Sequence, residues 1–253
     1  MSLGGNALTV ERPQTTAPWP PAMAARRAGG ARLAGIAIGV DLSWMIGIAL
    51  TTWTFAAGFL PETDPGRATG AYWGAGLVGA LLVGASLLLH ELGHAFAARR
   101  AGLGVARITL SFVGGTAQIV GTVRRPAEEL VIALGGPLAS LATMLAAAIA
   151  HVVIVETRGP GLAASVAALI AVANLAVALL NAVPGLPLDG GRALRALAWA
   201  ATGRYEAATR LATILGRRLG EVTIALAVIA SAFGFLGFAM WAALLGFILR
   251  ENS

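Results

Sequence analysis

The stretch "LVGALLVGASLLLHELGHAFAARRAG" (Leu77–Gly102) decides how this chain is read. It begins as a membrane-spanning run and then places His90, Glu91 and His94 where hydrocarbon is expected. Ionisable groups are costly inside a bilayer and mark functional sites. Two histidines four residues apart lie on one helical face, about 6 Å apart along the axis, so both imidazoles can reach one metal ion. Glu91 is the next residue after His90, so it projects beside that ion and can take a proton from an attacking water. The pattern H-E-x-x-H also recurs by chance. The alternative reading, core histidines with a glutamate partner, leaves three polar groups seeking partners in hydrocarbon.

The rest of the chain supports the membrane reading. Of 253 residues, 57% are hydrophobic and 12% charged, against about 25% charged in a soluble domain. All 18 basic residues are arginine, and the net charge is +6. Those arginines sit between the apolar runs, which points to a topology signal and away from nucleic acid. The absence of cysteine excludes disulfides, cysteine metal sites and cysteine nucleophiles. Residues 1–32 are rich in Pro, Ala, Gly and Thr and lack a signal-peptide pattern, so a disordered basic arm is expected there, with one domain over 33–253.

A helix of roughly 20 apolar residues crosses a bilayer core of about 30 Å. Runs over about 39–60, 71–94, 129–155, 162–183, 219–233 and 236–249 predict a polytopic α-helical membrane protein with six transmembrane helices. The loops after the first and third runs hold Arg67 and Arg158, and the other sixteen arginines fall on the opposite side. By the positive-inside rule that side is the cytoplasm, with both termini and the histidines near it. Between runs two and three, "RITLSFVGGTAQIVGTV" (107–123) is β-rich around Gly114-Gly115. It predicts a membrane-associated β-hairpin with a glycine turn. The hairpin either lies on the headgroups or dips into the protein beside the site.

Catalytic zinc takes three protein ligands. His151 is the one further histidine, at the outer end of run three and at the wrong depth, where a polar interface residue is the better reading. Asp189 follows the run-breaking "VPGLP" at the depth of the histidines; it reads as the third ligand or as a cap for the helix beginning "GGRALRAL".

"HELGH" together with "NAVPGLPLDGGRALRA" resembles the site-2 protease family of intramembrane zinc metalloproteases. "FVGGTAQI", "LGGPLASL" and "NLAVALLN" resemble that family's glycine-bearing hairpin, its Gly-Pro third span and its asparagine-bearing fourth span. The resemblance runs from about Gly35 onward and is of the short six-span type. It implies one Zn2+ held by His90, His94 and Asp189, with Glu91 as catalytic acid/base. It also implies Asn181 beside the zinc, polarising the scissile carbonyl or holding its oxyanion. An interhelical hydrogen bond is as good a reading of Asn174. About 95 residues separate His94 from Asp189, and neither a PDZ domain nor a CBS pair is expected. Asp41 stands where such relatives often carry His after a strand-like "GIxIxV", which touches details near the entrance and not the zinc site.

The resemblance implies cleavage of single-pass membrane proteins, already trimmed by another protease, within the lipid bilayer of a bacterial plasma membrane. Two readings from other classes are a transporter with a zinc or proton site and a pseudoprotease that binds single-pass helices without cutting. A transporter is favoured by internal repeats, and none is visible. The intact Glu91 argues against the pseudoprotease.

Overall fold

A computed structural model describes residues 31–112 and 114–251. Residues 1–30, most of the expected basic arm, lie outside the described residues. The chain is mostly helical, with one small sheet. Strands β1 (Arg32–Leu33) and β2 (Ile36–Val40) lead into helix α1 (Ser43–Thr54). A π-helical turn over Phe55–Phe59 joins α1 to the short α2 (Leu60–Thr63), and α3 spans Thr69–Arg100. Strands β3 (Gly104–Ser111) and β4 (Gly114–Val120) follow, then α4 (Pro126–Arg158) and α5 (Leu162–Asn181). The remaining helices are α6 (Asp189–Thr202), α7 (Tyr205–Ala232) and α8 (Leu236–Glu251).

Among the described residues, four helical segments are long and apolar enough to cross a membrane: Ser43–Thr63, Thr69–Arg100, Pro126–Arg158 and Leu162–Asn181. They coincide with the first four runs read from composition. The fifth run is the second half of α7, whose first half carries Arg210, Arg217 and Arg218; α8 has 16 residues. The first run opens on the last residues of β2, Gly39 and Val40, which pair with β3, and its helix begins at Ser43.

The expected hairpin is present, and it is half of a larger sheet with strand order β1-β2-β3-β4. β2 runs parallel to β3, with Ile38 opposite Ile108, and β3 pairs antiparallel with β4, with Thr109 opposite Thr116. Gly114 and Gly115 are not the turn. They open β4, opposite Ser111 and Leu110. Gly115 is needed for space, since a Cβ there would collide with the Glu91 side chain. One face of the sheet is sealed onto α3 by Ile36, Ile108 and Leu110 packing with Leu92 and Ala95. Asp41 Oδ1 accepts from Ser43 N at 2.8 Å, ordering the entry to α1.

Small residues bring α3 close to its neighbours, as association between helices in lipid requires. Gly76 lies against Thr52 and Ala56 of the first helical segment, and Gly93 against Gly135 of α4. Methyl groups at either member of the Gly93–Gly135 pair would strike the other's backbone. Helix α4 starts sharply. Pro126 fills the first turn, and Glu128 Oε2 accepts from Arg124 N and Arg125 N at 2.9 and 3.3 Å.

Candidate metal centre

The α3–α4 contact sets the site. His90 and His94 are both 5% exposed, and their rings meet edge to face with centroids 4.9 Å apart. His94 Nδ1 lies 2.7 Å from the carbonyl oxygen of Ile132 on α4. A carbonyl can only accept, so Nδ1 carries the proton and Nε2 presents its lone pair. The Gly136 N–H also approaches that Nδ1, at 3.3 Å; the shorter contact, to an obligate acceptor, decides the tautomer. His90 Nδ1 bonds Ser140 Oγ at 2.9 Å, one helical face further along α4. Anchoring the outer nitrogen of a ligating histidine in this way fixes ring orientation and raises ligand basicity.

Asp189 opens α6 and is 8% exposed. Its Oδ2 stands 3.0 Å from His94 Nε2 and 3.3 Å from His90 Nε2, and the two Nε2 atoms are 3.2 Å apart. Three donors meet at one point. Zinc bonds of 2.0–2.1 Å in a tetrahedron separate neighbouring ligand atoms by about 3.3 Å, so the triangle fits a zinc ion. With His90 in the same tautomer, Ser140 accepting from its Nδ1, two imidazole lone pairs and a carboxylate oxygen meet here, an arrangement that a cation between them relieves. Gly136 faces both Nε2 atoms, and a Cβ there would occupy the same space. Asp189 makes no side-chain cap bond at the start of α6; its carboxylate stands with the two histidines in a group that could hold a metal ion.

Why Asp189 arrives here is legible in "PGLPLDGG". Gly190 packs on the carbonyls of Ala182 and Val183, and Gly191 on Gly185 and Leu186, with no room for side chains. The chain thus folds back on the end of α5 before α6 starts, with a cis peptide at Leu186-Pro187.

Glu91, 9% exposed, faces β4, with its side chain packed against Gly115. Glu91, both histidines, Asp189 and Asn181 line one cavity of about 470 Å³. Strand β4 borders it from Gly114 to Ala117, and Arg192 adds a guanidinium. The Asn181 side chain donates to Val177 O of its own helix at 3.0 Å. His151 is elsewhere, bonded to Ala164 O at 2.8 Å. Asn174 is fully buried and joins α5 to α3 through Ser86 Oγ at 3.0 Å, the interhelical role weighed for it from sequence. Sequence reasoning missed Ser140, although a lone hydroxyl in the apolar "LGGPLASL" was a signal. It had no means of finding Ile132, which contributes a backbone carbonyl.

A helical, membrane-type scaffold enclosing a His-His-Asp centre beside a glutamate defines a membrane metallopeptidase fold. The family model of Peptidase family M50 matches residues 78–159 and 159–225. The chain belongs to this family, that of the site-2 proteases. Two relatives bear the name "Putative zinc metalloprotease". Rip3 of Mycobacterium tuberculosis is 37% identical over 218 residues, covering 86% of this chain and 55% of its own. The protein sll0528 of Synechocystis is 33% identical over 225 residues, covering 87% and 57%. The chain therefore spans about half the length of these relatives. The solved structure of the site-2 protease from Methanocaldococcus jannaschii matches 88% of this chain and 91% of that one, with a TM-score of 0.54 at 23% identity. That is a likeness of fold.

Proposed function

We propose that this chain is an intramembrane zinc endopeptidase that cuts transmembrane segments of single-pass membrane proteins. The observation that carries this reading is the convergence of His90 Nε2, His94 Nε2 and Asp189 Oδ2 within 3.3 Å, beside Glu91 in one cavity.

His90, His94 and Asp189 hold the metal, and Ser140 and the Ile132 carbonyl keep the imidazoles aimed at it. When bound, zinc supplies Lewis acidity toward water and the scissile carbonyl. Glu91 takes the proton of the attacking water as the oxygen adds to the carbonyl carbon. It then delivers that proton to the amide nitrogen as the C–N bond breaks. Asn181 lies on the cavity wall, and its amide turns from Val177 O to donate to the developing oxyanion.

A transmembrane helix must be extended before its carbonyl can be attacked. β4 has one strand neighbour, β3, and borders the cavity. An extended substrate satisfies its backbone by adding to that edge. Proline scanned from Ile108 to Val120 should lower cleavage strongly with normal zinc content, because it removes strand donors. Unchanged activity at every position would reduce the hairpin to a surface feature.

In this reading α7 and α8 supply the fifth and sixth spans. Both termini face the cytoplasm of a bacterial plasma membrane, as the arginine asymmetry supports. Single cysteines at Thr63 and Gly159 should label from outside and one at Ser253 only after lysis; external labelling at Ser253 overturns the orientation.

The function itself is tested by incubating the purified chain with a model single-pass substrate and sequencing the products. A new terminus inside the transmembrane segment, lost with a zinc chelator and restored by zinc, supports the proposal. Zinc-dependent flux without cleavage would favour a transporter, and binding without cleavage a pseudoprotease.

A further inference from the structure

The two histidines and Asp189 reach the centre from separate parts of the fold. The histidines are fixed by α4. Asp189 rides on α6, whose preceding turn is bound to α5 and α7: Leu186 N donates to Ala212 O at 3.3 Å, and Gly185 packs on Gly216. Among the described residues, no hydrogen bond from that turn reaches the helices that carry and aim the histidines.

Beyond the packing of α6 on α4, the polar tie is a buried ion pair. Glu129, in the first turns of α4, is 2% exposed, and its Oε1 accepts from Arg195 Nε at 2.7 Å and from Nη2 of the same guanidinium. Arg195 lies on α6, and its guanidinium also stands over the Tyr205 ring at 5.2 Å. Among the described residues, no other hydrogen bond or ion pair joins α6 to α4. Glu129 shares the buried stripe of α4 with Ile132, Gly136 and Ser140. One helical face thus aims His94 and His90, leaves room between them, and grips the helix bearing the third ligand.

A buried ion pair is a weak source of net stability, because desolvation offsets the attraction. Glu129 also leaves Oε2 without a hydrogen-bond partner among the described residues, which adds to that cost. Such a pair is better explained by the geometry it imposes. Building on the metal-centre reading above, we infer that Glu129 and Arg195 are positioning residues that set Asp189 against His90 and His94 and so govern metal retention.

The test uses the full chain in detergent, with zinc affinity read by chelator competition and ligand geometry by the visible spectrum of the cobalt(II)-substituted protein. Glu129→Gln and Arg195→Lys each keep a polar partner while loosening the two-pronged grip. Each should weaken zinc binding by about 10–100-fold, as loss of an outer partner does, and change the cobalt spectrum. Leu60→Ala, in the apolar cluster with Phe55 and Tyr72, should lower the melting temperature of the metal-free protein at least as much while leaving zinc affinity within about twofold of wild type. Wild-type affinity and spectrum in both Glu129→Gln and Arg195→Lys would overturn the proposal and make the pair purely structural. Zinc loss in Leu60→Ala equal to theirs would overturn it as well. A wild-type chain that binds no zinc would instead sink the metal-centre reading beneath it, a result distinct from equal affinities.

Discussion

Glu91→Gln should lower cleavage by about 10²–10⁴-fold, the range of a general acid/base contribution, while zinc content stays at the wild-type level. The reason is the separation of duties on α3. Successive helical residues point about 100° apart, so the metal-facing nitrogens of His90 and His94 meet Asp189 while Glu91 faces β4. Glutamine preserves the shape beside Gly115 and removes only the base. Quantifying new termini and bound zinc on the same preparation checks both halves. Normal turnover would remove Glu91 from the chemistry; loss of zinc would show that it contributes to the metal centre itself.

Asp189→Ala should cost both zinc and activity, with zinc affinity falling by at least about 100-fold, beyond what losing an outer partner typically costs. Two neutral imidazoles hold zinc poorly, and the carboxylate supplies the one negative donor of the triangle. Gly136→Ala should reach the same end by another route, since its methyl group fills the space before both Nε2 atoms. His151→Ala, whose ring bonds Ala164 O away from the centre, should leave zinc and cleavage unchanged. Metal analysis of the purified variants decides among these. Retained zinc in Asp189→Ala would require another third ligand.

The sequence by itself determined the apolar spans through α5, because their length and composition leave a bilayer as the one solvent that accommodates them. It also singled out the candidate ligand types. Histidine and aspartate are rare enough in hydrocarbon that "HELGH" and "LDGG" stand out without any geometry. The tertiary structure decided everything that depends on contact between distant segments. "GIAIGV" already reads as strand-like, but its partner does not: the parallel pairing of β2 with β3, some 70 positions away, is visible only in the fold. Gly114 and Gly115 suggested a turn, since glycine permits turns, yet both sit on β4, and at Gly115 the reason is the Glu91 side chain that fills the space a Cβ would need. The outer anchors of the histidines come from Ser140 and from a backbone carbonyl, and the grip on α6 comes from Glu129 and Arg195, 66 positions apart. Composition and local spacing carry no record of such pairings, because each depends on how closely glycine-bearing helices pack once the chain has folded.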